Sequence, residues 1–300
     1  MMIKHWIQAA RPRTLPLASS AVLAAGASVM DHSTQWSWSV FVLALLTTLG
    51  LQVLSNFAND LGDYSHGVDD EGRVGPQRAL QSGVIQPKSM RMAVIICAAI
   101  AFGLGVSLIF ASDVTRSNFS SFIIFLIVGL FAIAAAIKYT VGKSAYGYVG
   151  LGDLAVFLFF GVIGVLGVQF LLGMPWHDLD WSTALCVGAS SAAVLNANNL
   201  RDVENDTEKG KRTLVVMMGF KAGKWYQVTL LAVSIAAGCY SIWNCAMTWA
   251  WIALLPLGIQ LVVMLQTMRE DVPKLMDRFL KRIALSVFAF SLIHFIQHFL

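Results

Sequence analysis

Two stretches of the sequence carry oxygen-bearing side chains whose types and spacing suit a divalent metal. These side chains are Asn59, Asp60 and Asp63 in the first stretch, and Asn198, Asp202 and Asp206 in the second. In each stretch an Asn stands four positions before an Asp, so a continuing helix would place the two on one face. Carboxylates gathered at one place repel each other and need a cation. Mg²⁺ is held by one or two carboxylates together with substrate phosphates, so we predict that the two stretches face each other across one Mg²⁺–diphosphate site.

The surroundings of the two stretches predict what kind of diphosphate would bind. Each stretch follows an apolar run and leads into a charged loop, and Gly and Pro residues from Gly67 to Pro76 favour a loop after the first. Lys and Arg side chains nearby can bind the phosphate oxygens that the metal leaves free. A membrane-spanning body beneath such a site suits a hydrocarbon tail. These features indicate a prenyl diphosphate, whose ionisation leaves an allylic cation that must be kept from water.

The elements that must position these side chains are predicted to be membrane-spanning helices. The chain has 300 residues, 57% hydrophobic and 13% charged, with a mean hydropathy of +0.68. Soluble domains carry about 25% charged residues, so this composition indicates an all-α membrane protein. Because about 20 apolar residues span a bilayer, we predict a single domain of residues 1–300 with nine spans. They lie roughly at 15–30, 39–58, 90–111, 119–138, 151–173, 181–199, 227–244, 247–266 and 282–299.

The placement of charge predicts the orientation of these spans. With a cytoplasmic N-terminus, all of the 21 Lys and Arg residues except Arg116 fall on the cytoplasmic side, as the positive-inside rule requires. The nine Trp residues fall near predicted span ends, as in an aromatic belt. The net charge of +4 is therefore attributed to topology, and no basic stripe with interleaved aromatics indicates a nucleic-acid partner. Residues 1–14 predict a short helix lying at the membrane surface.

Three other patterns are less informative. The run GKS at 142–144 resembles part of a phosphate-binding loop, but the Gly required five residues earlier is Ile137, which excludes a Walker A site. The four Cys lack CxxC spacing and are predicted to be small buried hydrophobic residues. His294 and His298 have a metal-binding spacing. With no third ligand evident in the sequence, we predict that they are interfacial histidines.

The motifs and their flanks resemble the UbiA superfamily of intramembrane prenyltransferases. The strings NDLGD…GVD…RVGPQRA…SGVI and NNLRDVENDTEKGKRTL look like its two Asp-rich motifs, and ARPRTLPLA and YTVG…YGYVGLGD extend the similarity over nearly the whole chain. The GPxRA and GLGD flanks are similar specifically to the MenA branch, the 1,4-dihydroxy-2-naphthoate polyprenyltransferases. The resemblance implies a nine-helix bundle in a bacterial inner membrane, whose active cavity opens to the cytoplasm and laterally to lipid.

Carried over position by position, the resemblance implies roles for individual residues. The implied Mg²⁺ ligands are Asn59, Asp63 and Asp69 for one ion and Asp202 and Asp206 for another, with Asp60 and Asn198 coordinating directly or supporting the ligands. The implied diphosphate contacts are Arg78, Tyr139, Lys143, Lys209 and Arg212. Arg11 either anchors the topology or contacts the acceptor. Asp63 and Asp202 form the central catalytic pair.

The implied reaction is Mg²⁺-dependent transfer of a polyprenyl group to 1,4-dihydroxy-2-naphthoate with loss of CO₂, giving demethylmenaquinone. For the residue that takes the acceptor's proton we prefer Asp153 to His66, although a capping or topology role for Asp153 stays open. One rival is a related enzyme with another acceptor, such as 4-hydroxybenzoate or homogentisate. Another is a secondary transporter, which the clustering of the acids at one face disfavours. The sequence does not determine the prenyl chain length, the number of Mg²⁺ ions or the oligomeric state.

Overall fold

The fold is described here from a computed structural model, which describes residues 2–32, 36–67, 78, 80–142, 145–245 and 249–300. In these residues the regular structure is helical, and no strand occurs. The α-helices are α1 Met2–Ala10, α2 Leu15–His32, α3 Trp38–Ser65, α4 Pro87–Ala111, α5 Asp113–Ser117, α6 Phe119–Lys138, α7 Gly152–Val156, α8 Val168–Leu171, α9 Trp181–Arg201, α10 Val203–Glu208, α11 Leu214–Met218, α12 Phe220–Trp243, α13 Leu257–Arg269 and α14 Asp277–Ile296. A π-helical segment, Phe157–Gly167, joins α7 to α8 in one continuous helix.

Eight helical segments in the described residues are long and apolar enough to cross a membrane. They are Met2–His32, Trp38–Ser65, Pro87–Ala111, Phe119–Lys138, Gly152–Leu171, Phe220–Trp243, Ala250–Arg269 and Pro273–Phe299. Each corresponds to one of the nine predicted spans. The ninth, predicted at 181–199, is the 21-residue helix α9, whose C-terminal half is rich in Asn and therefore less apolar. The sequence thus predicts the helices correctly, while membrane crossing by α9 stays a prediction.

The helix is interrupted between α1 and α2, at a basic and Pro-containing segment of the sequence. Arg11 adopts a left-handed backbone (φ 50°), and Pro12 begins a 3₁₀ turn that ends at Thr14. Proline fits the first position of such a turn because its missing N–H would have no helical partner there. The predicted short N-terminal helix is therefore present as α1, and Arg11 is held where two helices meet.

Helix α9 lies at the centre of the bundle and packs against α12, α14 and the π-helical segment. Its approach to that segment depends on two glycines, because a Cβ on Gly161 would lie 2.9 Å from the Cα of Gly188. Two polar side chains of α9 make hydrogen bonds to neighbouring helices inside the bundle. Asn196 donates to Oε1 of Gln227 on α12 at 2.7 Å, and Ser190 accepts from Nε2 of Gln260 on α13 at 2.9 Å. Such pairing is needed because unpaired amides in an apolar interior cost several kcal/mol.

Candidate active site

The first acidic stretch lies on the final turns of α3. The helix continues to Ser65, so Asn59 and Asp63 do lie on one helical face, as the spacing predicts. Asp63 is buried, and both of its carboxylate oxygens are bound: Oδ2 accepts from Nη1 of Arg78 at 2.5 Å, and Oδ1 accepts from the Tyr148 hydroxyl at 2.5 Å. Hydrogen bonds with a charged partner are short and strong. They therefore fix the orientation of the Asp63 carboxylate.

A close backbone approach holds the end of α3 in place. Thr140, just after α6, donates through Oγ1 to the Oδ1 atom of Asn59 at 3.1 Å. A Cβ on Gly62 would lie 2.5 Å from the backbone carbonyl of Thr140, so this position requires glycine. The same contact explains why the NDLGD string contains a small residue between its two acids.

Asp60 lies beside Asp63 and organises two arginines, since Nη1 of Arg78 is near both carboxylates. Its Oδ1 atom is hydrogen-bonded to Arg11 and lies 3.4 Å from Nη1 of Arg78. Asp60 is fully buried and does not line the cavity described below, whereas both arginines do. Because its carboxylate contacts two arginines and, unlike those of Asp63 and Asp202, lies outside the cavity lining, we infer that Asp60 positions Arg11 and Arg78 and does not coordinate a metal directly.

The second acidic stretch lies at the C-terminal end of α9. Asp202 caps the helix, and its two oxygens are bound by Arg201, with Nε–Oδ1 2.7 Å and Nη2–Oδ2 2.5 Å. Arg201 also contacts Asp277 at the start of α14 at 2.5 Å and donates to Oδ1 of Asn198 at 2.8 Å. The side chain of Arg201 is only 3% exposed. This buried guanidinium ties the NNLRD string to the last helix of the bundle.

Among Asp63, Asp202 and Asp206, the carboxylate of Asp206 has the fewest cationic and hydrogen-bonding partners. It lies on α10, and its nearest cation is the Lys211 ammonium, 3.5 Å from Oδ1. Its Oδ2 atom is buried and has no hydrogen-bond partner among the described residues. Burial, reinforced by the neighbouring charges of Asp202 and Asp63, raises the pKa of Asp206 to about 6. A bound cation would strongly stabilise a carboxylate that is buried, has one unpaired oxygen and has a raised pKa.

One cavity of about 600 Å³ brings the two stretches together. Its polar lining comprises Asn59, Asp63, Arg78, Asn198, Arg201, Asp202, Asp206 and Lys211. The rest of the lining is mainly apolar and comes from α2, α3, α4, α6 and the π-helical segment, for example Phe102, Phe125 and Phe159. The predicted convergence of Asp63 and Asp202 on one site is therefore present. The cavity is polar where the helix ends meet and apolar along the bundle.

Not all of the other predicted site residues line this cavity. Tyr139 lines the cavity, and burial raises its pKa well above the usual range, so the phenol stays neutral. Asp69 and Lys143 lie outside the described residues. Lys209 and Arg212 are exposed and do not line this cavity, whereas Lys211 between them does.

The position of Asp153 does not support its predicted role as proton acceptor. Asp153 is buried and contributes to a second cavity of about 300 Å³, with Tyr226 and apolar residues, on another side of the bundle. It is not part of the lining of the larger cavity. The helix starting at Gly152 simply turns this residue away from the acidic helix ends. His66, the second choice, packs against the edge of Tyr148 at 4.9 Å and is also outside that lining.

Three residues at the site were not predicted from the sequence: Tyr148, Arg201 and Lys211. Arg201 stands inside the NNLRD string, and its position next to Asp202 was the available signal. Tyr148 reaches Asp63 from a 3₁₀ turn, Tyr146–Tyr148, that is remote in sequence. Lys211 lies 5.6 Å above the ring centroid of Tyr148, so these two residues connect the two acidic stretches.

The donor set fits a hard divalent cation. The carboxylate and amide oxygens at the two helix ends are the ligands that Mg²⁺ prefers. The orphaned Oδ2 atom of Asp206 is consistent with such an ion. The residues suited to hold it are Asn59, Asp63, Asn198, Asp202 and Asp206.

A model of the UbiA prenyltransferase family matches residues 18–292 of the sequence. The chain belongs to the UbiA prenyltransferase family. Among its curated relatives is a Haemophilus influenzae protein named 1,4-dihydroxy-2-naphthoate octaprenyltransferase, 42% identical over 253 residues, which cover 83% of this chain and 80% of the relative. An Escherichia coli protein of the same name is 37% identical over 278 residues, covering 92% of this chain and 89% of that one. These relatives confirm the resemblance to the MenA branch of the UbiA family.

Solved structures of UbiA proteins share the fold. The apo structure of a UbiA homologue from Aeropyrum pernix superposes with a TM-score of 0.73 at 15% identity, covering 95% of this chain and 98% of that one. A UbiA homologue from Archaeoglobus fulgidus, bound to DMAPP and Mg²⁺, gives a TM-score of 0.65 at 15% identity, with 97% and 99% coverage. The all-helical UbiA architecture predicted from the sequence is thereby confirmed.

Proposed function

We propose that this UbiA protein transfers a polyprenyl group from polyprenyl diphosphate to 1,4-dihydroxy-2-naphthoate, with decarboxylation, in menaquinone biosynthesis. The observation that carries the proposal is the convergence of Asp63 with Asp202 and Asp206 on one cavity whose remaining walls are apolar. Relatives up to 42% identical that are named for this reaction support the choice of acceptor. The alternative acceptor 4-hydroxybenzoate has no comparable support, and a transporter is disfavoured because the acids lie together at helix ends.

We assign the metal-binding role to both acidic helix ends. Asn59 and Asp63 hold Mg²⁺ from α3, with Asp69 as a further proposed ligand, and Asp202 and Asp206 hold it from the other side, assisted by Asn198. When bound, Mg²⁺ supplies charge stabilisation for the departing diphosphate. Tyr148 and Arg201 keep the two aspartates oriented, because each binds a carboxylate at 2.5 Å. Preorganisation of this kind makes electrostatic stabilisation effective in a site of low polarity.

The diphosphate is bound by cations that line the same cavity. Arg78 donates from the α3 side and Lys211 from the α10 side, so a diphosphate between them meets positive charge from two directions. Tyr139, a neutral phenol, provides a further donor. Lys143 stays a proposed contact. Lys209 and Arg212 also stay proposed contacts, although both are exposed outside the cavity lining and would have to move towards the diphosphate. Arg11, held by Asp60 at the cavity wall, is the proposed contact for the acceptor.

The apolar part of the cavity is suited to the prenyl tail. Its walls carry aromatic and aliphatic side chains with few polar atoms, which excludes water from the carbon that loses diphosphate. The aromatic ring of the acceptor then attacks this carbon, and the C–O bond to diphosphate breaks. Loss of CO₂ from the same ring carbon restores aromaticity, so the carboxylate of the acceptor itself leaves in place of a ring proton. The electrons of the broken carbon–carboxylate bond return to the ring, so the step releases CO₂ and diphosphate, and both hydroxyl groups keep their protons in the hydroquinone product.

We further propose nine spans, with α9 as the ninth, and a cytoplasmic N-terminus in a bacterial inner membrane. The proposal is supported by the positive charges, of which all but Arg116 fall on one side in this arrangement. The active site then faces the cytoplasm, where soluble diphosphate can leave.

Product analysis tests the proposed reaction. Purified protein is incubated with octaprenyl diphosphate, Mg²⁺ and either 1,4-dihydroxy-2-naphthoate or 4-hydroxybenzoate, with and without chelator, and the products are identified by mass spectrometry. We expect a decarboxylated, prenylated naphthalenoid only with the naphthoate and only with Mg²⁺. Prenylation of 4-hydroxybenzoate alone would refute the choice of acceptor, and chelator-resistant turnover would refute the metal dependence.

A further inference from the structure

A cluster of metal-binding side chains lies at the end of the bundle remote from the active site. It consists of Asp31 near the end of α2, His294 on α14, His298 in the following 3₁₀ turn and Cys245 just after α12. Helix α2 rises about 24 Å from Leu15, beside the active cavity, to Asp31, and α14 rises about 25 Å from Asp277 to His294. The cluster is therefore separate from the carboxylates that bind Mg²⁺.

The ligand atoms of Asp31, His294 and His298 lie close together, and the Cys245 thiol lies beside the Asp31 carboxylate. Oδ2 of Asp31 lies 3.0 Å from Nε2 of His294, and Oδ1 lies 3.2 Å from Nε2 of His298 and 3.0 Å from Sγ of Cys245. One ligand atom from each of Asp31, His294 and His298 can be chosen so that all lie within 4.8 Å of one another. Around a tetrahedral zinc ion with bonds of about 2.0–2.3 Å, ligand atoms are separated by about 3.3–3.8 Å. The two Asp31–histidine distances, 3.0 and 3.2 Å, are within a few tenths of an ångström of this range.

Burial and hydrogen bonding distinguish this cluster from surface histidines. The side chains of His294, His298 and Asp31 are 0%, 10% and 5% exposed. Although Nε2 of His298 is 3.2 Å from Asp31, the two are not aligned as a hydrogen bond, and this nitrogen has no hydrogen-bond partner among the described residues. It is a buried lone-pair donor directed at the other ligands. The sequence predicts interfacial histidines because no third ligand is evident in it. In the structure α2 supplies that ligand, Asp31.

Charge balance favours a divalent ion in the cluster. The groups that contact the Asp31 carboxylate in the described residues are two imidazoles and one thiol, so the carboxylate charge is balanced by a protonated imidazole or by a bound cation. A buried carboxylate without a cation is costly. One Zn²⁺ with one carboxylate, one thiolate and two neutral imidazoles has no net charge. Imidazole and thiolate also select zinc over Mg²⁺, which takes oxygen ligands.

We propose that Asp31, Cys245, His294 and His298 form a structural zinc site. The site ties the end of α2 to the ends of α12 and α14, three elements that are far apart in the sequence. Asp31, His294 and His298 supply three ligands, and the Cys245 thiol, 3.0 Å from the carboxylate, would turn towards the ion to complete the four-ligand set of a structural site. Its expected effect is on the thermal stability of the bundle and not on the chemistry at the opposite end.

Metal retention tests this site in the full-length protein in detergent. Protein stripped with chelator is incubated with Zn²⁺ in excess Mg²⁺, which occupies the oxygen-rich active site, then desalted and analysed for metal and melting temperature. We expect one zinc per chain and a higher Tm for the wild type. We expect His298→Ala to bind zinc at least about 10- to 100-fold more weakly, the loss typical even for groups that only support a ligand. His177→Ala is the matched control, because His177 is 81% exposed and lies near the same end of the bundle.

Cobalt substitution gives a second readout that does not depend on the folding of a variant. Co²⁺ bound to the wild type should show an intense near-ultraviolet band from the Cys245 thiolate, and the conservative Cys245→Ser variant should lose this band. A wild type that retains no zinc overturns the proposal, as does equal retention by the wild type and His298→Ala. A cobalt complex without the thiolate band would contradict the four-ligand site.

Discussion

Replacing Tyr148 by Phe should slow prenyl transfer although Tyr148 is outside both acidic stretches. Its hydroxyl donates to Oδ1 of Asp63 at 2.5 Å, and the ring packs against His66 and below Lys211. Phe preserves the ring contacts and removes only the hydrogen bond. A hydrogen bond to a charged group contributes about 1.5–3 kcal/mol. At 1.36 kcal/mol for each factor of ten, kcat/KM should fall about 10- to 150-fold.

The assay is the initial rate of product formation in detergent across a Mg²⁺ titration. Because the lost contact orients a proposed metal ligand, the Mg²⁺ concentration for half-maximal rate should rise together with the fall in rate. Tyr146→Phe is the control from the same turn: its hydroxyl donates to the neutral carbonyl of Ala135 at 2.9 Å. That bond contributes about 1 kcal/mol to stability, so the rate should change by less than about tenfold. An unchanged Mg²⁺ dependence in Tyr148→Phe, or equal losses in both variants, would refute the reasoning.

Three further predictions concern the lysines and the carboxylates. Lys211→Met should raise the KM for prenyl diphosphate about tenfold or more by removing a charge-assisted contact. Lys221→Met, at an exposed lysine outside the cavity lining, should have little effect; the opposite order would contradict the assignment. Because burial raises the pKa of Asp206 to about 6, Mg²⁺ must displace a proton at lower pH, so Mg²⁺ affinity measured by calorimetry should fall about tenfold per pH unit below 6 and be flat above it. Asp206→Asn should abolish this pH dependence, and a wild-type profile in the variant would disprove the role of Asp206. Asp153→Asn should retain most turnover, because Asp153 does not line the active cavity. Loss of a general base costs about 10²–10⁴-fold, and a fall in rate of that size would support Asp153 as the proton acceptor.

The sequence predicted the features that depend on local spacing. Asn59 and Asp63 share a face because a helix has 3.6 residues per turn and nothing before Gly67 interrupts it. The spans were also predictable, because apolar runs of fixed length have few alternatives. Helix α9 was found as well, although its Asn-rich end lowers its apolarity.

The features that the sequence could not predict depend on tertiary geometry. Lys211, and neither Lys209 nor Arg212, reaches the cavity because its backbone N–H donates to the carbonyl of Asp206 at 2.8 Å, which folds the loop back over the carboxylate. Nothing in local spacing specifies that turn. Likewise, Asp31 joins His294 only after α2 and α14 have packed side by side. Long-range contacts of this kind also determine that Asp153, at the start of its own helix, lines the smaller cavity, which the sequence does not indicate.

The central claim is that two helix ends, one on α3 and one on α9, bind a single metal–diphosphate. The most direct test is the Mg²⁺-dependent binding of an unreactive thiolo analogue of a prenyl diphosphate, measured for the wild type, Asp63→Asn, Asp202→Asn and the double variant. If the two carboxylates act on one ligand, each single change should remove most of the Mg²⁺-dependent affinity, and the double change should cost little more, because coupled sites are not additive. Wild-type binding by either single variant, or losses that simply add, would contradict the shared site.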